Sequence, residues 1–329
     1  MDFKTSLLLY RTQTINVNDL WNTKLRLIKS LTPLFRSFKE QDLILIKEFK
    51  TGHNALATQA NLIVDPLKQA KATSNDQIQK GQIQEQINSI YVQYLEDYFN
   101  LSKTLKNDKI LELESRTKLL VILYCTWSEA VFKKLKHTPH GLPLVNREQN
   151  YGSNLELKWS NLIDTIMNQI IISGNHLDIT QMKTELKDIS NKYIIEKSKI
   201  RNKIAHGQWT QALNTPNTGI VIDTSVNISN LDIVEIDVSF DIHNYMVQIL
   251  QSILESNDPQ DMITTRHDSY LFLKEKLDNF IYNRKEWNTE SRITFLKQRK
   301  FDTRNLEIAS ILKSKGISAE IVKSVTGVE

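Results

Sequence analysis

One segment of the chain places three chemically versatile side chains close together: Arg201, Asn202 and His206. If the segment is helical, these residues fall within about one and a half turns. Arginine is a permanent cation, and an imidazole can be charged or neutral near pH 7. The combination suits phosphodiester cleavage, because one group stabilises negative charge while the other moves protons. So short a pattern also arises by chance, and its surroundings must support it.

The surrounding sequence predicts that Asn202 and His206 lie at the open end of a helix. They are four residues apart and share a face, with Arg201 beside it. Gly207 favours a helix end here, because glycine accepts the left-handed backbone that commonly follows a helix. A different face carries the residues that predict a core-facing stripe, which are Tyr193, Ile200 and Ile204.

The motif resembles the signature of the HEPN superfamily of metal-independent ribonucleases, in which an arginine, often followed by asparagine, precedes a histidine. Here Arg201, Asn202 and His206 match that pattern. The run from Tyr124 to Ala130, which contains Glu129, is similar to an upstream core helix of some HEPN proteins. The resemblance covers residues 110–256 and implies a mainly α, HEPN-like helical bundle with a small β-hairpin or strand insertion after the motif helix.

The resemblance also implies roles for these residues. His206 acts as base or acid, Arg201 neutralises the charge that develops on phosphorus, and Asn202 holds the histidine or a phosphate oxygen. Glu129 supports the site. The RNA supplies its own 2′-hydroxyl nucleophile, so the expected product carries a 2′,3′-cyclic phosphate, and neither a metal nor a cofactor is expected. Because one motif gives half a composite site, a symmetric homodimer is implied.

Each of these residues also has a structural interpretation. His206 can simply end the helix, since its imidazole is favoured near the negative end of the helix dipole. Arg201 can be an ordinary surface charge, and Asn202 a capping or solvated residue. Glu129 can form a structural salt bridge with Arg201, which the sequence favours slightly over a role in chemistry.

Composition limits the class of protein. Nine glycines and six prolines in 329 residues are well below the usual shares of about 7% and 5%, so turns are scarce and a mainly helical protein is predicted. The net charge of +4 is compatible with nucleic acid as a partner without establishing it. The single cysteine, Cys125, excludes an internal disulfide. No apolar run is long enough for a membrane span, so we expect a cytoplasmic protein.

Three regions are predicted: an N-terminal helical extension (1–108), a HEPN-like catalytic domain (109–256) and a C-terminal helical extension (257–329). Apolar periodicity predicts helices over residues 18–38, 40–73, 75–106, 109–137, 154–173, 179–206 and 242–255. Pro33 is expected to break or kink the first of these. Alternation and turn residues predict a hairpin over 208–213 and 219–224, and a further strand over 231–240.

The C-terminal extension interleaves basic and aromatic residues, which can bind backbone phosphates and stack on bases. The candidate RNA-binding residues are Arg284, Lys285, Arg292, Lys297, Arg299 and Lys300. The competing interpretation is an amphipathic helix with a solvated basic side. Residues 305–328 resemble a short helix-turn-helix tail, turning at Gly316, although a docked terminal hairpin or a partner-binding element is favoured.

The resemblance implies a ribonuclease that acts on tRNA or another structured RNA, in antiphage defence or as a toxin. Its activity would need restraint by an antitoxin, another regulatory protein, or residues 1–108. The alternative is a non-catalytic HEPN-like protein that binds RNA or nucleotide, or serves as a scaffold for a partner. A DNA-binding role for the tail is a third possibility.

Overall fold

The computed structural model describes residues 3–138, 150–173, 176–215, 219–255, 266–315 and 318–326. The described chain is mainly helical, as the scarcity of glycine and proline predicts. Its helices are α1 (Phe3–Ser37), α2 (Glu40–Thr73), α3 (Gln77–Leu105), α4 (Asp108–Lys136), α5 (Leu155–Ser173), α6 (His176–Ile189), α7 (Glu196–Ala205), α8 (Ile222–Ser229), α9 (Ile233–Leu254), α10 (Arg266–Arg284), α11 (Thr289–Ser314) and α12 (Ala319–Thr326). A π-helical turn, Ser190–Ile195, joins α6 directly to α7.

The first helix is longer than predicted and passes through Pro33. Proline removes one backbone hydrogen bond from a helix interior, so a break was expected there. However, the same turn buries Leu31, Leu34 and Phe35 in the core, and α1 packs along α4. Tertiary packing of an apolar face is the main source of helix stability in proteins, and here it keeps the helix intact to Ser37.

The strand predicted over residues 231–240 is wrong, because this segment opens α9. The Asp232 side chain accepts hydrogen bonds from the amides of Val234 and Glu235, at 2.9 and 3.3 Å, and so caps the helix. The apolar residues alternate locally, but over a longer stretch they also repeat at steps of three and four, which is the helical period. The buried residues in that repeat are Ile233, Ile236, Phe240, His243, Val247, Leu250 and Leu254.

The predicted hairpin after the motif helix is reduced to one antiparallel bridge, between Leu213 and Ile220. Ile222 already begins α8, so the predicted strand over 219–224 does not form. The central turn residues 216–218 lie outside the described residues. The segment therefore returns the chain from the end of α7 to α8 without forming a sheet.

The main core surrounds α4, which packs against α1, α7 and α9. Its largest fully buried side chains include Trp127, Tyr124, Trp159 and Phe240. The indole of Trp159 donates to the Ser128 hydroxyl at 2.9 Å. A smaller second cluster lies between α2 and α3 and is completed by α8. The proposed boundary at residue 108 stays a prediction, and α1 shares the main core with α4.

The C-terminal segment folds back on itself, which both the terminal-hairpin and the helix-turn-helix interpretations predicted. Asn305 of α11 donates to the Thr326 carbonyl of α12 at 2.9 Å, and Ala309 and Val322 are buried. Gly316, the predicted turn, lies outside the described residues. None of the described helices is both long and apolar enough to span a bilayer.

Candidate functional site

The π-helical turn and α7 form one continuous helical segment, residues 190–205, which we call the motif helix. Its C-terminal end has the hydrogen bonds of a Schellman motif: Gly207 donates to the Ile204 carbonyl and Gln208 to the Lys203 carbonyl, both at 3.0 Å. Gly207 has a φ of +78°, as this cap requires. His206 is the last residue before the glycine, so residues 201–207 form the helix tip.

Arg201 is held at the helix tip by a carboxylate from α4. Its guanidinium donates to Glu129 at 3.0 Å, and the two side chains keep 27% and 37% of their surface exposed. A second guanidinium nitrogen donates to the Asn202 carboxamide oxygen at 3.1 Å. The structure therefore brings Arg201, Asn202 and Glu129 together and leaves the arginine accessible from solvent.

His206 lies at the same tip, with an exposed side chain, and Asn202 is exposed as well. Of the predicted core-facing residues, Ile200 and Ile204 are buried on the other side of the helix, and Tyr193 is partly buried against the same core. Trp209 follows closely and keeps about a third of its surface exposed. An open imidazole, a guanidinium and an indole therefore lie within nine residues of chain, where a large substrate can approach.

Cys125 lies behind this site, in the core. Burial raises the pKa of its thiol to about 12; Glu129 adds to the rise, and Arg201 and Lys197 oppose it. The thiol is therefore protonated at neutral pH and is not a nucleophile.

A second candidate site lies towards the N-terminal end of the motif helix. A cavity of about 260 Å³ opens between this helix, α9 and the connection from α10 to α11. We call it the basic pocket. Its lining residues are Lys192, Tyr193, Lys197, Glu235, Val238, Ser239, Ile242, Ile281, Arg284, Lys285 and Trp287.

One wall of the basic pocket is the π-helical turn. A π-turn changes the backbone hydrogen bonding of a helix, and such turns are frequent at functional sites. Here the hydroxyl of Tyr124, on α4, donates to the Tyr193 carbonyl at 3.1 Å. The same hydroxyl contacts Nδ1 of His243 at 3.1 Å. Burial lowers the pKa of His243 to about 3, so this imidazole is neutral and can donate from Nδ1 to Tyr124.

The opposite wall is fixed by Asp232, which also caps α9. Its two carboxylate oxygens accept from the amide of Thr289 at 2.9 and 3.1 Å. This contact joins the start of α11 to the start of α9 and places Trp287 at the pocket. The Arg284 guanidinium lies over the Trp287 ring, 3.4 Å from its centre.

The candidate RNA-binding residues separate into two groups. Arg284 and Lys285 line the basic pocket, and Arg292 lies near the same indole, 5.4 Å from the ring of Trp287. Two other candidates are exposed on α11 and do not line this pocket: Lys297 and Arg299. The side chain of Lys300 lies outside the described residues.

Two pocket residues on the motif helix, Lys192 and Lys197, were not predicted from the sequence. They precede the motif on a segment with other lysines, and nothing local distinguishes them. The sequence does contain a basic motif helix and a basic, aromatic segment near Trp287. These two segments meet only when the chain folds, so their combination could not be recognised from spacing.

Comparisons of the chain with protein-family models, curated proteins and solved structures find no match. Within the described ranges, no group of three or more histidine, cysteine or acidic side chains is arranged to hold a metal ion. Whether the chemistry needs a metal is therefore a matter for experiment.

Proposed function

We propose that the protein is a HEPN-type, metal-independent endoribonuclease whose reactive groups lie at the helix tip. One observation supports this most directly: Arg201 is anchored by Glu129 at 3.0 Å while His206 stays exposed on the same tip. A positioned cation and an open imidazole at one helix end are the groups that transfer of a phosphodiester to an internal hydroxyl can use.

In the proposed reaction, the RNA 2′-oxygen bonds to phosphorus and the bond from phosphorus to the 5′-oxygen breaks. An imidazole accepts the 2′-hydroxyl proton, and an imidazolium returns a proton to the leaving 5′-oxygen. Arg201 stabilises the negative charge on the phosphoryl oxygens through charge-assisted hydrogen bonds. The products are a 2′,3′-cyclic phosphate and a 5′-hydroxyl, and water is not consumed.

A single tip supplies one imidazole and one guanidinium. We propose that two copies face each other, so that one His206 serves as base and the other as acid. An isologous contact of this kind repeats the same surface on both copies. The substrate class we propose is tRNA or another structured RNA, in antiphage defence or toxin action, with an antitoxin or other regulatory partner as restraint.

The decisive experiment incubates purified wild type and His206→Ala with total RNA in excess EDTA and then maps the new ends. We expect the wild type to leave cyclic phosphates and 5′-hydroxyls. We expect His206→Ala to lose at least about 100-fold in rate, as removal of a general acid–base group does. Lys199→Ala is the matched control, because Lys199 lies on the same helix and is largely exposed.

Two results contradict the proposal. Equal cleavage by wild type and His206→Ala would assign any activity to a contaminant or another site. Absence of cleavage by a folded wild type across tRNA, ribosomal and messenger RNA would favour the alternative, a non-catalytic protein that binds RNA or nucleotide.

The alternative has its own supporting observation. The guanidinium of Arg201 is already engaged by Glu129 and Asn202, which a purely structural arginine would also show. Under this alternative His206→Ala leaves RNA affinity unchanged, whereas the basic pocket determines binding.

A further inference from the structure

The basic pocket concentrates positive charge, which the single carboxylate in its lining, that of Glu235, offsets only in part. Four cations line it: Lys192, Lys197, Arg284 and Lys285. No residue in the described ranges forms an ion pair with any of them. Like charges around a cavity repel one another and attract an anion, most strongly where the walls exclude part of the solvent.

A second cavity, between α2 and α3, allows a comparison, because its lining is also basic. It is also lined by lysines, among them Lys68 and Lys71. There, Lys68 pairs with Asp65 at 3.5 Å, and Lys71 donates to the Gln84 side chain at 2.5 Å. Lys80, the third lysine of that cavity, has no ion pair or side-chain hydrogen bond among the described residues, so the difference is one of degree: in the basic pocket all four cations lack an ion pair.

The basic pocket also offers surface for a flat, partly apolar group. Tyr193 and the stacked pair of Arg284 and Trp287 line it, and its apolar residues are Val238, Ile242 and Ile281. Nucleobases stack on aromatic rings and on guanidinium planes. A simple anion such as an acidic peptide would use the charges but would leave this surface without a partner.

One acidic residue, Glu235, lines the same cavity. A carboxylate repels phosphate but accepts hydrogen bonds from hydroxyl groups, as ribose provides. The volume of about 260 Å³ lies just below the range of roughly 300–1,000 Å³ that holds small ligands. This is room for one nucleotide rather than for a folded element of a partner protein.

We infer that the basic pocket binds a nucleoside phosphate, either free or as one nucleotide of a single strand. Its phosphate lies among Lys192, Lys197 and Lys285. Its base stacks on Tyr193 or on the Arg284 side chain, and a ribose hydroxyl donates to Glu235. The proposal concerns binding only and does not depend on cleavage at the helix tip.

Both walls of the pocket are positioned before any ligand binds. The π-helical turn that carries Lys192 and Tyr193 is held by Tyr124 at 3.1 Å. The wall that carries Trp287 is held through Thr289 by Asp232. Preformed walls lower the ordering cost of binding, which favours a specific site over a loose basic surface.

The test uses full-length His206→Ala protein, so that RNA is not consumed. Isothermal titration calorimetry compares adenosine 5′-monophosphate, adenosine, inorganic phosphate and a short unmodified single-stranded RNA, whose 2′-hydroxyls stay free to donate to Glu235. We expect the monophosphate or the strand to bind about tenfold more tightly than adenosine, since a charge-assisted phosphate contact is lost in the nucleoside. Binding of the monophosphate identifies a free ligand, and binding of the strand alone identifies a nucleotide within RNA.

Charge reversal at neighbouring lysines locates the site. Lys197→Glu should weaken binding about tenfold or more. Lys199→Glu makes the same charge change two residues further along the same helix, where the side chain is 63% exposed, and should change affinity less than about twofold. A thermal melt checks that both variants are folded. If Lys197→Glu does not fold, Arg284→Ala provides a second variant of the pocket.

Three outcomes overturn the inference. The first is that neither the monophosphate nor the strand binds. The second is that both lysine reversals weaken binding equally, and the third is that a polyglutamate of the same charge competes as well as the strand. The second and third results would indicate attraction to the whole basic surface. Absence of cleavage by the folded wild type, with nucleotide binding retained, would instead refute the ribonuclease proposal alone.

Discussion

The two ends of the motif helix differ in how they use positive charge. At the helix tip, the arginine that the sequence identified is paired with Glu129, and the site is open to solvent. Earlier in the same helix, Lys192 in the π-helical turn and Lys197 one helical turn before Arg201 line a cavity and form no ion pair with any described residue. In our proposals, the paired Arg201 at the tip stabilises charge during a reaction, whereas the cations of the pocket bind an anion.

This difference teaches that a motif and a binding site need not coincide. The helix tip lies outside the basic pocket and offers one imidazole, so in our proposal a second copy completes it. The basic pocket is built from one chain, with walls fixed by Tyr124 and Asp232. Chemistry at the tip should therefore depend on assembly, whereas binding in the pocket should not.

The largest expected effect that separates the two ends comes from Arg201→Ala. Cleavage should fall by about 10²–10³-fold, because a group that stabilises the transition-state charge is lost. The free energy of unfolding should change by less than about 1 kcal/mol, since the ion pair with Glu129 is partly exposed. Nucleotide affinity should stay unchanged. Initial rates, urea denaturation and calorimetry on one preparation measure cleavage, stability and nucleotide affinity. If the variant is unfolded, Arg201 has a structural role.

The pH dependence of stability tests the contact between His243 and Tyr124, the residue that holds one wall of the basic pocket. Burial lowers the pKa of His243 to about 3, whereas a histidine in an unfolded chain titrates near ~6.5. Below that pH the unfolded chain binds a proton that the folded chain does not. The free energy of unfolding should therefore be constant above about pH 6.5 and fall as pH drops towards 3, by up to ~1.4 kcal/mol per pH unit for this group.

Urea denaturation from pH 7.5 to 4.5 measures this slope. His53 contributes in the same direction, because burial, with a smaller effect of Lys106, lowers its pKa to about 4. His243→Gln keeps a donor for Tyr124 but cannot titrate, so its slope should be shallower than that of the wild type. Equal slopes would show that His243 is not the source.

The smallest expected effect comes from Gly207→Ala at the helix tip. A Cβ there would meet no atom within 4 Å, so the cost comes only from the φ of +78°. It should be about 1 kcal/mol, or roughly 1–2 °C in melting temperature for a chain of this length. Gly207→Asn should cost less, because asparagine tolerates this backbone better. Calorimetry of the wild type and the two variants ranks their melting temperatures. A decrease for Gly207→Ala far larger than this would mean that the cap stabilises more of the protein than the helix tip.

The helix tip could be predicted because its determinants are local. The glycine stop, the position of His206 and the buried face with Ile204 all follow from spacing along one helix. The pairing of Arg201 with Glu129, which lies 72 residues earlier, was one of two open alternatives. Local spacing cannot decide between them, and the packing of α7 on α4 does.

The failures have a common cause, which is information that lies outside the local window. The alternating residues 231–240 fit a strand until the repeat beyond Phe240 is included, and that repeat gives α9. Pro33 is tolerated because α4 packs along the same face. The basic pocket needs three separate segments and a π-helical turn, for which no residue pattern in this chain is diagnostic.

The buried thiol of Cys125 has a practical consequence for testing assembly. It is the one cysteine in the chain, and its protonated, enclosed state makes it slow towards maleimides and disulfide reagents in the folded protein. A cysteine introduced at position 199 could therefore be labelled selectively without removing the native one. Spin labels or crosslinkers attached there would report the separation between tips of two copies directly, and labelling of Cys125 itself would report unfolding.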